Sequence, residues 1–347
     1  MRLMIKLVRL LHRLSQSESY QSLLNSILPE TARISPCYYS VMMGYDFHLS
    51  ATGPKLIEIN TNAGGYWFAY LSHNPNQVEF AKRSSQRLLA SFISEYQLFE
   101  PTKTQPTLLA IVDTEPESQF LFPEMQAFAA LFQRVGIDTV IIDPSTLSLQ
   151  DNSLFFKGHR VDMIYNRHCD FYLETPAMAA IKAAWMSGSI CLSPNPRHYG
   201  LLADKRRMTL FSNPAILKTL NLSIKELDLL KTTIPLTQSL ATLPQQQVWE
   251  SRKQWVFKPD TGYASRGVYV GNKLTTGKLA ELDPKHTLIQ EWIPPSQSRY
   301  QDELPFKTDF RVFAYQDKIL GISARLYQGQ VTNLRTPNGG FAKVVLV

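Results

Sequence analysis

Cysteine is scarce in this chain: three among 347 residues, at 37, 169 and 191, with no Cys-x-x-Cys pair. That excludes a disulfide framework or a thiolate metal site, and it fits a reducing cytoplasm. Each cysteine reads as a small buried apolar residue rather than a nucleophile. The seven histidines form no close metal-type pair. Long apolar runs are missing too, so no transmembrane segment is expected. Low-complexity tracts and internal repeats are absent. No Gly-x-Gly-x-x-Gly follows a strand. Gly262 to Gly267 has Val268 after it where a P-loop needs Lys-Ser/Thr, and Gly271 to Gly277-Lys278 is one residue too long. RNP, zinc-finger and helix-turn-helix signatures are also absent. The net charge is +7, yet the 36 basic residues are spread out. Nucleic acid is therefore not the expected partner, and an anionic small molecule is.

What is present is an ordinary globular composition, 44% hydrophobic and 19% charged. The length suits two or three lobes. Residues 1–104, 105–200 and 201–347 divide by texture, with the polar, proline-bounded stretch 100–106 as a linker. Residues 1–14 carry Arg2, Lys6, Arg9 and Arg13 on one helical stripe and leucines mainly on the other. Such a helix packs on its own domain or on a second subunit, making a homodimer a candidate assembly; the alternative is a membrane surface. Helices are expected over 15–30 and 73–98. From 107, strands at 107–113, 138–143, 161–166 and 190–193 alternate with helices after Pro123 and from Pro176. That alternation implies a parallel, Rossmann-like sheet. Ligands bind at the carboxyl ends of such strands. Asn166 and Arg167 sit at one, where Arg167 could grip a carboxylate bidentately; a solvated polar loop is the other reading.

Two segments nearly 200 residues apart carry the chemistry. Residues 44–65 read as two strand-like runs joined by a turn at Gly53. Side chains alternate along a strand, so Glu58 and Asn60 point the same way, and Asp46 on the neighbouring run can join them. Three hard oxygen ligands with open positions suit Mg²⁺ and a substrate phosphate. The alternative is a hairpin whose polar face meets water. The second segment, 255–271, runs an apolar strand into Lys258-Pro259 and then a loop with Gly262, Ser265, Arg266 and Gly267. Loop N–H groups and a lysine can hold a phosphate; a hairpin without ligand is the competing view.

Further on come Gln290-Glu291-Trp292-Ile293, Asp309-Phe-Arg311, Arg325 and Asn333. In this order the segments resemble the ATP-grasp superfamily, which includes D-alanine–D-alanine ligase and glutathione synthetase. Its members look like a strand ending in Lys-Pro, a small-residue lid, a Gln/Glu-Glu-hydrophobic hinge, Asp-x-Arg, a distant Arg, then Asp … Glu-x-Asn. Here the last block comes first, as in a circularly permuted member of glutathionylspermidine synthetase-like order. The resemblance covers 15–70 and 200–347, with 105–200 as the domain preceding the nucleotide site. One departure is visible: those synthetases look to carry an Arg two residues before the metal Asp, and here that place is Gly44.

The resemblance implies an α/β protein with ATP-grasp lobes and a Rossmann-like domain. It implies ATP and Mg²⁺ as cofactors and an acyl-phosphate route joining a carboxylate to an amine or thiol. The substrate would be an amino acid, peptide or polyamine. Asp46, Glu58 and Asn60 would hold Mg²⁺. Lys205 and Lys258 would reach phosphates under the 262–267 loop, and Gln290 to Ile293 would meet adenine. Arg311 and Arg325 would face the transferred phosphoryl group, and Asn333, with Asn338, would line the acceptor side. A small-molecule kinase and a non-catalytic nucleotide-binding protein are the alternative functions.

Overall fold

Leu108 to Val112 is an uninterrupted apolar run, the pattern of a strand covered on both faces. The computed structural model describes residues 1–71, 78–261, 267–299, 305–329, 332, 337 and 339–344, and there that run is a central strand. The chain forms β1 (Met43–Ser50) and β2 (Gly53–Asn60), then β3 (Leu108–Val112), β4 (Asp138–Ile142), β5 (Ser148–Gln150), β6 (Ser153–Phe156), β7 (His159–Arg160), β8 (Met163–Asn166) and β9 (Cys191–Ser193). It continues with β10 (Thr237–Ser239), β11 (Trp255–Pro259), β12 (Tyr269–Val270), β13 (Thr287–Glu291), β14 (Ser296–Ser298), β15 (Phe306–Tyr315), β16 (Lys318–Tyr327) and β17 (Gly340–Lys343).

Three sheets matter for the site. The parallel one runs β4-β3-β8-β9, as the strand–helix alternation anticipated. An antiparallel one runs β10-β13-β11-β12. The largest is ordered β17-β16-β15-β1-β2, with β14 also on β15. In it the first hairpin of the chain pairs with strands from the last 50 residues, so Asp46 lies opposite both Glu58 and Arg311. β5 to β7 make a small meander that the sequence reading did not anticipate.

The N-terminal helix Arg2–Ser15 buries Met4, Leu7, Val8, Leu10, Leu11 and Leu14 and leaves its basic stripe exposed. It packs against the helices Glu18–Asn25 and Ile224–Thr233, with Arg13 paired to Glu226. Its apolar face is thus used by its own chain, at about 1.5–3 kcal/mol per buried leucine. The single helix expected over 15–30 is broken: Pro29, which lacks an N–H, starts a separate turn, Glu30–Arg33. The helix expected from 73 begins at Val78 and ends at Phe99, and a short helix, Tyr66–Leu71, precedes it. Residues 72–77 lie outside the described ones. Among the cysteines only Cys191 is buried; Cys37 is exposed and Cys169 intermediate. Among the described residues, no helix is long and apolar enough to cross a membrane.

Candidate functional site

The β1–β2 hairpin closes through Ser50, whose hydroxyl donates to Gly53 O at 2.9 Å and accepts from Thr52 N at 3.2 Å. Gly53 has φ +110, a conformation open to glycine and strained for other residues. This turn sets the register as far as Phe47 and Leu56, and a bulge with Ile57 as the extra residue then shifts it by one, which puts Asp46 directly across from Glu58. Antiparallel partners present side chains on one face, so the two carboxylates share a surface. Asn60 pairs with Gly44 and donates from Nδ2 to Asp46 Oδ2 at 3.2 Å.

Asp46 is the most heavily contacted acid of the site. Arg311, across from it on β15, donates Nε to Oδ1 at 2.7 Å and Nη2 to Oδ2 at 2.8 Å. Arg325 Nη2 reaches Oδ2 at 2.9 Å. Burial raises the Asp46 pKa, but the charges of Arg311 and Arg325 outweigh it and hold the carboxyl at about 2. Arg325 is at the same time bidentate to Asp309, its register partner on β15, at 2.5 and 3.0 Å. Asp309 also accepts from Thr332 Oγ1 at 2.8 Å.

Gly44 explains how Ala63 and Arg311 fit. A Cβ there would stand 2.5 Å from Ala63 Cβ and 3.3 Å from Arg311 Cδ. The space in front of Gly44 is taken by Ala63, with the Arg311 side chain from β15 beside it.

On the facing sheet, Lys258 of β11 donates to Gln290 Oε1 at 2.7 Å and to Ile57 O at 3.2 Å. Burial lowers its pKa to about 8, with Glu58 opposing and Lys205 adding to the shift. Lys205 Nζ stands 3.7 Å from Glu58. His48, two residues beyond Asp46, donates from Nδ1 to Ile293 O at 2.6 Å and ties the hairpin to the hinge segment.

These groups line one cleft that is open to solvent. Its floor carries Asp46, Glu58, Lys205, Lys258, Asp309 and Arg325, and Val256, Val268, Val270 and Ile293 form an apolar wall. Gln290, Glu291 and Trp292 also line it. Gly267 (φ +72) precedes Val268 at the rim. Arg311 stands behind Asp46 and donates Nη1 to Gly64 O at 3.1 Å. Gly262, Ser265, Arg266, Asn333 and Asn338 lie outside the described residues.

Asn166 and Arg167 are elsewhere, at the end of β8. Arg167 is buried; its Nη1 donates to Asn62 O at 2.8 Å and to Tyr165 Oη at 3.2 Å. Asn166 Oδ1 accepts from His168 N at 3.0 Å. Between the two sites runs the loop 61–65, whose far end is held by Glu124: its carboxylate accepts from Gly65 N at 2.9 Å and from Trp67 N at 3.1 Å. Tyr66 and Trp67 are core residues, and Phe171 stacks on Tyr199 at 4.3 Å. The sequence reading passed over His48 and Glu124 and treated Asp309 only as a possible partner for the arginines. His48 was findable, because it shares the Asp46 face at strand spacing. Glu124 carries no local signal; only the tertiary approach of its helix, Phe122–Gln133, reveals it.

Hard oxygen donors on one face are the chemistry Mg²⁺ requires, and Asp46, Glu58 and the Asn60 amide oxygen fit that ion. Among the described residues, no group of three or more His, Cys, Asp or Glu side chains could hold a metal, so the amide is needed to complete the set.

No protein-family model matches the chain, and no curated protein matches it. Solved structures do. A glutathione synthetase-like effector (GSS30) from Globodera pallida, in its apo form, superposes with a TM-score of 0.61 at 12% identity, over 100% of this chain and 87% of that one. A putative gamma-glutamylcysteine synthetase from Methylobacillus flagellatus superposes with a TM-score of 0.54 at 10% identity, over 95% of this chain and 83% of that one. The protein therefore shares the mixed α/β fold of these two structures.

Proposed function

We propose that this protein is an ATP-dependent carboxylate–amine ligase, with a thiol as the alternative nucleophile, and that its chain order is a circular permutation of the usual one. The observation that carries the reading is the cleft in which Asp46, Glu58, Lys205, Lys258, Gln290 and Arg325 converge. The pairing of β1 with β15 in one sheet supports the permutation.

In this reading the apolar wall at Val256, Val270 and Ile293 takes adenine. Lys258 exchanges Gln290 for a phosphate oxygen, and Lys205 adds a second charge. Mg²⁺ held by Asp46, Glu58 and Asn60 would neutralise charge on the β- and γ-phosphates. A substrate carboxylate oxygen attacks the γ-phosphorus and ADP leaves. An amine then attacks the acyl carbon, phosphate leaves, and the amine loses its proton. Arg325 is fixed by buried carboxylates, so its charge would face the reacting oxygens without costly reorganisation, and Arg311 holds Asp46 from behind. The substrates would be an amino acid, peptide or polyamine, with Asn166 and Arg167 on the acid side.

Calorimetry with ATP and Mg²⁺ on wild type, Glu58→Ala and Lys258→Ala tests the site. Micromolar binding that both variants lose is the expected result; binding indifferent to both sinks the reading. Hydroxylamine trapping then separates a ligase from a kinase. A hydroxamate from a cognate acid indicates acyl phosphate, and a stable phosphorylated hydroxyl indicates the kinase.

A further inference from the structure

Asp46 has two oxygens and about four lone-pair directions. Oδ2 is crowded, with Arg311 Nη2, Arg325 Nη2 and Asn60 Nδ2 all on it, whereas Oδ1 accepts from Arg311 Nε. The carboxylate side chain is 4% exposed. A cation that uses Oδ2, the oxygen on the Arg325 side, must therefore displace a donor. Arg311 would lose most, since it makes two bonds to Asp46 and has only Gly64 O besides. Asn60 loses little, because turning its amide replaces a donor with an oxygen ligand. Arg325 also loses little: it has one contact to Asp46 and keeps its fork on Asp309.

We propose that Arg325 and a divalent cation compete for Asp46, with Asp309 as the positioning residue that retains the displaced guanidinium. The inference rests on the ATP and Mg²⁺ reading above and deepens it. Without nucleotide, Arg325 holds Asp46 closed to a bare cation. An incoming phosphate draws Arg325 toward itself and frees the oxygen, so nucleotide and cation favour each other's binding. Such coupling is reciprocal.

Mn²⁺ serves as the probe, with free ion followed by electron paramagnetic resonance, first alone and then with ADP. Bare Mn²⁺ should bind Arg325→Met on the order of tenfold more tightly than wild type. The gain should shrink once ADP is present. Removing a positive charge favours a cation in any case, so Arg325→Lys is the decisive variant. It keeps the charge and loses the fork, and it should retain a several-fold gain in 0.5 M KCl, where distant charges are screened. Asp309→Asn should move the other way, because Arg325 then leans on Asp46 alone. Equal Mn²⁺ affinity in wild type and Arg325→Met, or no gain in Arg325→Lys, overturns the proposal. If Arg325→Met does not fold, Arg325→Lys and Asp309→Asn decide it by their opposite signs. Wild type that binds neither ATP nor Mn²⁺–ADP would sink the ligase reading instead, and the bare-ion comparison would still report on Arg325.

Discussion

In the parallel sheet, β3 is five apolar residues, four of them fully buried, packed beneath Phe92, Phe128, Phe132 and Tyr165. In the large antiparallel sheet, β1, β15 and β16 bury Asp46, Asp309, Arg311 and Arg325 at 8% exposure or less. Both sets of side chains are buried, and they do opposite jobs. The first is held by area removed from water and by edge-to-face rings, such as Phe92 on Phe132 at 4.9 Å. The second spends its space on charges that stabilise little net, because desolvation offsets most of their attraction. What the charged region gains is geometry: the Arg325 guanidinium held between Asp46 and Asp309 at a cleft, with Arg311 bracing Asp46.

Double mutants break that comparison most sharply. Asp46→Ala strands the buried Arg311 guanidinium, while Arg325 keeps Asp309, and should cost about 3–5 kcal/mol in urea unfolding. Asp46→Asn combined with Arg311→Met removes both partners and should cost clearly less than Asp46→Ala alone. In the apolar region, Phe128→Ala should cost about 3–5 kcal/mol, and adding Phe92→Ala should cost more still. If both pairs behave alike, the contrast fails.

A smaller effect sharpens the functional half. Lys258 sits near pKa 8 in the free protein, and a bound phosphate raises that value. Binding then takes up a proton above pH 8. ATP affinity should be flat below that pH and fall as pH rises through it, toward about tenfold per unit. Lys258→Met should bind weakly with no such slope, as calorimetry from pH 6.5 to 9.5 would read.

The smallest effect concerns Glu95, a lone carboxylate inside the apolar half. It accepts from Tyr39 N, Ser193 Oγ and Tyr315 Oη, yet burial raises its pKa to about 7. The folded state therefore holds a proton that the unfolded chain has released between roughly pH 4.5 and 7. Stability contributed by this group falls as pH rises through that window. Glu95→Gln should gain on wild type from pH 5 to 8, by on the order of a few degrees in Tm.

The sequence disclosed the elements that repeat a local rule. Apolar runs separated by helical segments predicted the parallel sheet, and strand alternation predicted that Glu58 and Asn60 share a face. Cyclic order joined segments 200 residues apart. Hidden were contacts set by tertiary approach. Nothing local marks Glu124 as the acceptor for Gly65 N, or says that Ala63 and Arg311 lie against Gly44. Nor does it say that Arg167, at a strand end suited to a ligand, turns toward the backbone of residue 62.

That backbone has a consequence for modularity. The loop 61–65 takes Arg311 on Gly64 O from one lobe, and Arg167 on Asn62 O and Glu124 on Gly65 N from the other. A Cβ at Gly64 would stand 2.4 Å from Leu121 and 2.9 Å from Arg167. The parallel sheet with its helices is therefore not an interchangeable cassette. A graft that replaced β3, β8 and the helix Phe122–Gln133 would have to bring its own acid and arginine at these two places, or leave the loop's polar groups unanswered.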